Sequence, residues 1–242
     1  MQVAIVSDIH GNRQAFEAVL DDIDAEDVAE RWCLGDLVGY GADPDVCVEL
    51  ALARCDLVLA GNHDLAVTGA LSVEEFSPGA AAAAKWTQKN IEARNLEALR
   101  ALPPQSLDRE VGLFHASPRD PIWEYVLSTL QAELCLDAQE HRVCLVGHSH
   151  VALAFTRRGE GVAGSACPDG SRADLTVGEW ILNPGSVGQP RDGDPRAAWL
   201  LLDLETWTAT WRRVDYDIPG AQAAIRAAGL PEALADRLEY GQ

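Results

Sequence analysis

Basic charge is scarce in this chain of 242 residues: 19 Lys and Arg stand against 38 Asp and Glu, a formal net charge of −19. No basic run is longer than the pairs Arg157–Arg158 and Arg212–Arg213. A protein that grips long nucleic acid or an anionic membrane surface needs basic patches, so neither partner is expected. A small phosphorylated substrate stays compatible, because a bound cation inverts the local field. Long apolar runs are missing too. The longest stretch free of Asp, Glu, Lys and Arg, Val143 to Thr156, includes His148 and His150 and is shorter than the roughly 18 residues of a membrane span. No basic segment precedes Asp8, so no secretory signal is expected. The six cysteines (Cys33, Cys47, Cys55, Cys135, Cys144 and Cys167) form no C-x-x-C pair. They read as reduced, mostly buried thiols of a cytoplasmic protein rather than a disulfide scaffold.

What is present is ordinary for a globular chain. Apolar residues make up 48 % and charged residues 24 %, close to the soluble average, and the length suffices to bury a core without staples. Disorder and fibrous architecture are set aside. Length leaves one large domain or two small ones open. With no internal repeat, linker or break in composition, a single domain over residues 1–242 is the simplest expectation.

Gln2 to Ser7 is short, apolar and β-branched, a buried strand. Arg13 to Ile23 carries apolar residues at helical spacing. Strands are expected at Arg31–Leu34 and Leu57–Leu59. Asp43–Pro44 and Ser77–Pro78 are helix starts, the first leading to about Arg54 and the second to one long Ala-rich helix ending before Pro103. This strand–helix alternation predicts a largely parallel sheet. Further on, Val111–Phe114 and Arg142–Val146 read as strands around a helix near Ser128–Ala138. Ala152–Thr156, Glu179–Leu182, Ala197–Asp203 and Thr208–Arg213 read as antiparallel strands. Glu160–Thr176, rich in Gly and polar residues, reads as an exposed loop. Helical pattern returns at Ile218–Ala228, which leaves a homo-oligomer open, and at Pro231–Tyr240.

Five of the six histidines lie in short polar clusters directly after an expected strand: Asp8-Ile9-His10, Asn62-His63-Asp64, His115, and His148-Ser149-His150, with Asp36 after the second strand. Parallel strands present their carboxyl ends along one edge, where ligands bind. Mixed carboxylate and imidazole ligands suit Mn, Fe, Zn or Co better than Ca or Mg. The set is too large for one four-coordinate ion and fits two that share a bridging carboxylate, an arrangement that clamps both oxygens of a phosphoryl displacement. Singly, each cluster has a plainer reading: a turn or cap for the Asp and Asn groups, a core histidine for His115. His148 and His150, two apart in an expected extended segment, project the same way.

Taken together, the blocks Asp8-Ile9-His10, Gly35-Asp36-Leu37-Val38-Gly39, Gly61-Asn62-His63-Asp64, His115 and Gly147-His148-Ser149-His150 resemble those of the calcineurin-like metallophosphoesterase family, in family order. The segment Asn183 to Arg191 is similar to its small prokaryotic branch of YfcE-like phosphodiesterases. The resemblance implies an α/β four-layer αββα sandwich with mixed sheets and two divalent ions at a sheet edge. Manganese is placed first, with Fe, Zn, Co or Ni also fitting. It implies Asp8, His10, Asp36 and His150 on one ion and Asp36, Asn62, His115 and His148 on the other. It further implies hydrolysis of a phosphodiester or phosphomonoester, a nucleotide or dinucleoside polyphosphate included, by metal-bound hydroxide. His63 is then the proton donor, oriented by Asp64. The alternative is a catalytically silent calcineurin-like fold acting as a protein-binding scaffold, as in a retromer subunit that resembles the family.

Six further residues are candidate substrate contacts. Gly185 and Ser186 lie where main-chain N–H groups and a hydroxyl suit phosphate, or where a tight Pro-Gly turn suffices. Arg191 suits a bidentate phosphate contact or a solvated surface, and so does Arg196. Asn12 sits beside the first ligands or caps the following helix. Tyr40 stacks on an organic group or packs. His141 is assigned no function.

Overall fold

The computed structural model describes residues 1–159 and 161–242. The strands are β1 (Gln2–Val6), β2 (Glu30–Cys33), β3 (Leu57–Val58), β4 (Gln105–Ser106), β5 (Gly112–Phe114), β6 (Val143–Leu145), β7 (Ala152–Arg158), β8 (Gly161–Ala166), β9 (Arg172–Asp174), β10 (Glu179–Pro184), β11 (Ala197–Asp203) and β12 (Thr208–Val214). The helices are α1 (Arg13–Asp24), α2 (Pro44–Arg54), α3 (Asn62–Thr68), α4 (Pro78–Asn90), α5 (Ala93–Arg100), α6 (Thr129–Ala138), α7 (Ile218–Ala227) and α8 (Glu232–Asp236). Two six-stranded sheets form, ordered β3-β2-β1-β11-β12-β9 and β4-β5-β6-β10-β7-β8. Both are mixed: β1, β2 and β3 run parallel, as do β5, β6 and β10, while the remaining pairs are antiparallel.

The period-2 alternation of strand side chains builds the layers. Val3 and Ile5 of β1 face the second sheet, packing with Leu113, Val143, Leu145, Leu182, Leu200 and Trp211. Ala4 and Val6 face the other way, onto Phe16, Val19 and Leu20 of α1 and Val48 of α2. On the second sheet, Phe114, Cys144 and Ile181 turn outward onto Ala132, Cys135 and Leu136 of α6. Helices, sheet, sheet and helix thus form the αββα sandwich. Among the described residues, no helix is long and apolar enough to cross a membrane.

Two expectations are corrected. The Ala-rich helix from Ser77 breaks at Ile91, where the chain turns extended. The carboxylate of Asp45 on α2 accepts from Glu92 N at 2.9 Å and Asn95 Nδ2 at 2.6 Å, so a tertiary contact starts α5 where helix propensity alone would continue α4. The segment after Arg158 is not an open loop. Gly161–Ala166 pairs with β7 at the edge of one sheet and Arg172–Asp174 with β12 at the edge of the other. Glu160 lies outside the described residues.

Candidate active site

The loops that leave β1 and β2 stay paired beyond the strand ends: Asp8 N donates to Gly35 O at 3.0 Å, His10 N to Asp36 O at 2.9 Å and Gly11 N to Leu37 O at 2.9 Å. Their backbone bends sharply. Asp8, His10, Asp36, Tyr40, His148 and His150 all have φ between 52° and 63°, the left-handed region that non-glycine residues rarely enter. Among the described residues only Trp207 joins them outside this edge. Such strain gathers where a site over-determines the chain.

The seven residues expected as metal ligands converge, each at most 5 % exposed. Ligand atoms of Asp8, His10, Asp36 and His150 all lie within 4.8 Å of one another, and so do those of Asp36, His115 and His148. Asp36 belongs to both groups. Its Oδ1 accepts from His63 N at 2.8 Å. Its Oδ2 has no hydrogen-bond partner and lies 3.5 Å from His10 Nε2 and 3.6 Å from His115 Nε2. Asn62, the first residue of α3, brings Oδ1 to 3.2 Å from His115 Nε2.

Main-chain carbonyls fix the tautomers. His10 Nδ1 meets Val38 O at 3.0 Å, His115 Nδ1 meets Leu34 O at 2.9 Å and His150 Nδ1 meets Gln189 O at 2.6 Å. A carbonyl only accepts, so in each neutral ring Nδ1 carries the proton and Nε2 presents a lone pair. His148 is reversed: Nε2 meets Trp123 O at 3.2 Å, leaving Nδ1 as the acceptor. His148 and His150 are not extended, and they serve different groups because each has turned left-handed. Burial holds the imidazoles of His10, His148 and His150 well below their usual range, so they are neutral. Burial also pushes the Asp8 carboxyl up to about 7, and burial together with the charge of Asp64 pushes Asp36 well up. Desolvated acids beside inward-facing lone pairs are what a cation offsets. A donor set of carboxylate, amide oxygen and imidazole, with an unpartnered carboxylate oxygen between two groups, fits two transition-metal dications.

His63 follows Asn62 on α3 and lines a cavity of about 270 Å³ with Asp36, Tyr40, His148, His150 and Arg191. Its ring packs against Tyr40, Phe76 and His10 at centroid distances of 4.4, 4.7 and 4.8 Å, and its Nδ1 has no partner. A Cβ on Gly39, whose φ is +89°, would lie 2.2 Å from that nitrogen, so glycine is required there. Tyr40 accepts a hydrogen bond from Arg191 Nη2 at 3.3 Å.

Asp64 and Ser186 take roles other than the expected ones, while Asn12, Gly185 and Arg196 take the plainer of their two expected roles. Asp64 does not reach His63. Its carboxylate accepts from Gly61 N at 2.9 Å and Val38 N at 3.2 Å, bracing the start of α3 and the β2 loop. Asn12 caps α1, accepting from Ala15 N at 3.1 Å and donating to Gly188 O at 2.8 Å, so its polar atoms are committed. Ser186 is fully buried. It donates to Asp8 O and accepts from Gln189 N, both at 2.8 Å, supporting the β1 loop instead of a substrate. Gly185 sits in a turn closed by Asn183 Oδ1 at 2.9 Å, with φ +85°. Arg196 pairs with Asp194 and Asp169.

Sequence reasoning missed Phe76, Trp123, Tyr125 and Arg237, which also line the cavity. Tyr125 stacks on His148 at 4.1 Å. These residues lie in loops and a tail turn without a motif, and only their aromatic or basic character signals them.

Residues 1–206 match the calcineurin-like phosphoesterase superfamily domain. An uncharacterized protein of Methanocaldococcus jannaschii is 36 % identical, over 99 % of this chain and 98 % of its own. A crystal structure of a metallophosphoesterase from Sphaerobacter thermophilus is 42 % identical, covering 100 % of this chain and 99 % of its own, at TM-score 0.91. A hypothetical protein from Pyrococcus horikoshii is 22 % identical over 100 % and 98 %, at TM-score 0.82, a likeness of fold.

Proposed function

Because the chain belongs to the calcineurin-like phosphoesterase superfamily, we propose that it is a dinuclear metal-dependent enzyme that hydrolyses a phosphodiester or phosphomonoester of a small molecule, nucleotides and dinucleoside polyphosphates included. The observation that carries this reading is the unpartnered Asp36 Oδ2, between two groups of buried ligand atoms. In it, Asp8, His10, Asp36 and His150 hold one cation and Asp36, Asn62, His115 and His148 the other, manganese being the first to test. When bound, such a pair acidifies water and neutralises charge on the phosphoryl oxygens.

The chain's own residues do the rest. Arg191, at the cavity wall, binds and orients a phosphoryl oxygen through its planar fork. His63 donates a proton to the departing oxygen, its ring held in place by Tyr40, Phe76 and His10. Burial and the charge of Arg191 hold the His63 imidazole down at about 3. An anionic phosphoryl group beside it acts in the opposite sense and favours the imidazolium.

The test is hydrolysis of bis(p-nitrophenyl) phosphate by metal-stripped protein, with and without Mn²⁺, beside His63→Asn. Turnover restored by Mn²⁺ and depressed in the variant supports the reading. No turnover with Mn²⁺, Co²⁺, Ni²⁺ or Zn²⁺, together with no bound metal, overturns it.

A further inference from the structure

The tail beyond the family match carries a second guanidinium to the same cavity. Residues 207–242 follow the matched segment. Within them, Ala221 and Ile225 of α7, Leu234 of α8 and Leu238 pack on Ala80, Ala83 and Tyr40. That apolar contact sets the turn Arg237–Glu239 at the mouth, where Arg237 lines the cavity with Arg191, His63 and Asp36. Twelve of the seventeen arginines have an Asp or Glu partner. Arg191 and Arg237 have none among the described residues, in a chain with twice as many acids as bases. Arg191 is held by Gln189 Oε1 at 2.7 Å and by the Tyr40 hydroxyl. Arg237 Nε donates to the main-chain oxygen of Gln242, which leaves its terminal nitrogens for a ligand.

We propose that Arg237 and Arg191 form the site of a second phosphate group of the substrate, beside the phosphoryl group that is cleaved. The proposal rests on the phosphoesterase reading and narrows its substrate to esters that carry a diphosphate or an added phosphate. Charge supports it. Two dications are offset by Asp8, Asp36, Asp64 and the exposed Glu75 of the rim, so the surplus, about two positive charges, comes from the two arginines. A simple phosphodiester brings one negative charge and a diphosphate brings three. Burial and the neighbouring Arg191 charge lower the Arg237 pKa, the mutual repulsion that an anion between the two relieves.

The test compares two non-hydrolysable ligands by calorimetric binding to Mn²⁺-loaded protein: the methylenephosphonate isostere of AMP and α,β-methylene-ADP. A charge-assisted contact to phosphate is worth roughly tenfold or more. The wild type is expected to prefer the diphosphate analogue at least about tenfold, and Arg237→Gln to bring that ratio to about two or less. Arg237→Lys, which keeps charge without the fork, lies between. Because the readout is a ratio within one protein, changes in folding or metal loading divide out. A wild-type ratio near one, or a ratio unmoved in Arg237→Gln, overturns this inference even where bis(p-nitrophenyl) phosphate is turned over. Absence of turnover together with absence of bound metal in the wild type is instead the failure of the phosphoesterase reading.

Discussion

His10 Nε2 and His150 Nε2 face each other at 3.0 Å, although the opposite nitrogen of each ring meets a main-chain carbonyl. Neither Nε2 of the neutral rings has a proton to share, so the pair is two lone pairs aimed at one point. Asp8 Oδ1 stands 3.6 Å from His150 Nε2 and Asp36 Oδ2 3.5 Å from His10 Nε2. A cation turns this repulsion into coordination.

Asp36 is the residue both groups share. Asp36→Asn removes the bridging charge while keeping an oxygen to accept from His63 N. It is expected to lower bound Mn²⁺ from two per chain to one or fewer and kcat/KM at least ~10³-fold, measured by elemental analysis and hydrolysis of bis(p-nitrophenyl) phosphate. Full loading with full activity would remove the bridge.

For His63→Asn the expected result is unchanged metal content and a kcat loss of about 10² to 10⁴, the range of general acid catalysis. The loss should be larger for an alkyl ester than for a p-nitrophenyl ester, since p-nitrophenolate departs without a proton. Equal losses on both would exclude the proton-donor role.

Protons should leave when metal arrives. Burial places the Asp8 carboxyl at about 7 and, with the charge of Asp64, raises Asp36 well above the usual carboxylate range, while the imidazoles of His10, His148 and His150 are held low. Near pH 6 the metal-free protein therefore holds a proton on the Asp8 carboxyl and none on these imidazoles. Cation binding requires the ionised carboxylates and expels carboxyl protons. Affinity accordingly weakens as pH falls below about 7 and strengthens as it rises, by up to ~10-fold per unit per proton. Titration with Mn²⁺ at pH 6 in buffers of different ionisation enthalpy should count about one to two protons released; a count of zero would contradict the assignment.

Asp64→Ala should weaken the fold more than the chemistry. It strands the buried N–H groups of Gly61 and Val38, each costing about 1–3 kcal/mol. Denaturant unfolding should show a loss of about 3 kcal/mol. Turnover per metal-loaded molecule should fall far less than in His63→Asn, and an equal fall would restore Asp64 to a direct role.

Gly39→Ala places a methyl against His63 Nδ1 at a positive φ. With Tyr40, Phe76 and His10 packed against it, the ring can yield only toward the cavity, out of its place. A stability cost of about 1–3 kcal/mol is expected, with kcat reduced at least ~10-fold and both metals retained. Wild-type kcat in a folded variant would show that the ring position is immaterial.

The core strands and the order of ligand blocks were legible because each depends on local pattern. Val3 to Val6 is apolar throughout since both faces of β1 are covered, and Asp8, Asp36, Asn62 and His115 follow strands of the parallel portions. What escaped depends on distant partners. The edge strand β8 is mostly exposed and holds its place by main-chain pairing with β7, so its residues show no apolar alternation. Helix α3 hides in what reads as a turn, because Asp64 turns back to the N–H of Gly61. Arg237 reaches the site through the packing of Leu234 and Leu238, a relation invisible from its own neighbours. Ser186 looked like a ligand contact for the same reason: its hydroxyl is spent on Asp8 O, far away in sequence.

The left-handed turns at Asp8, His10 and Asp36 are fastened by the chain's own amides and carbonyls, and each bend costs roughly 1–3 kcal/mol that the surrounding sheets sustain. The cradle is therefore a property of the polypeptide, unlike a zinc finger, which organises only around its ion. Ion exchange becomes a local event that leaves the sandwich standing. On the two-metal reading, the ion the site takes would then be set by supply and the affinity order of the divalent ions as much as by the protein.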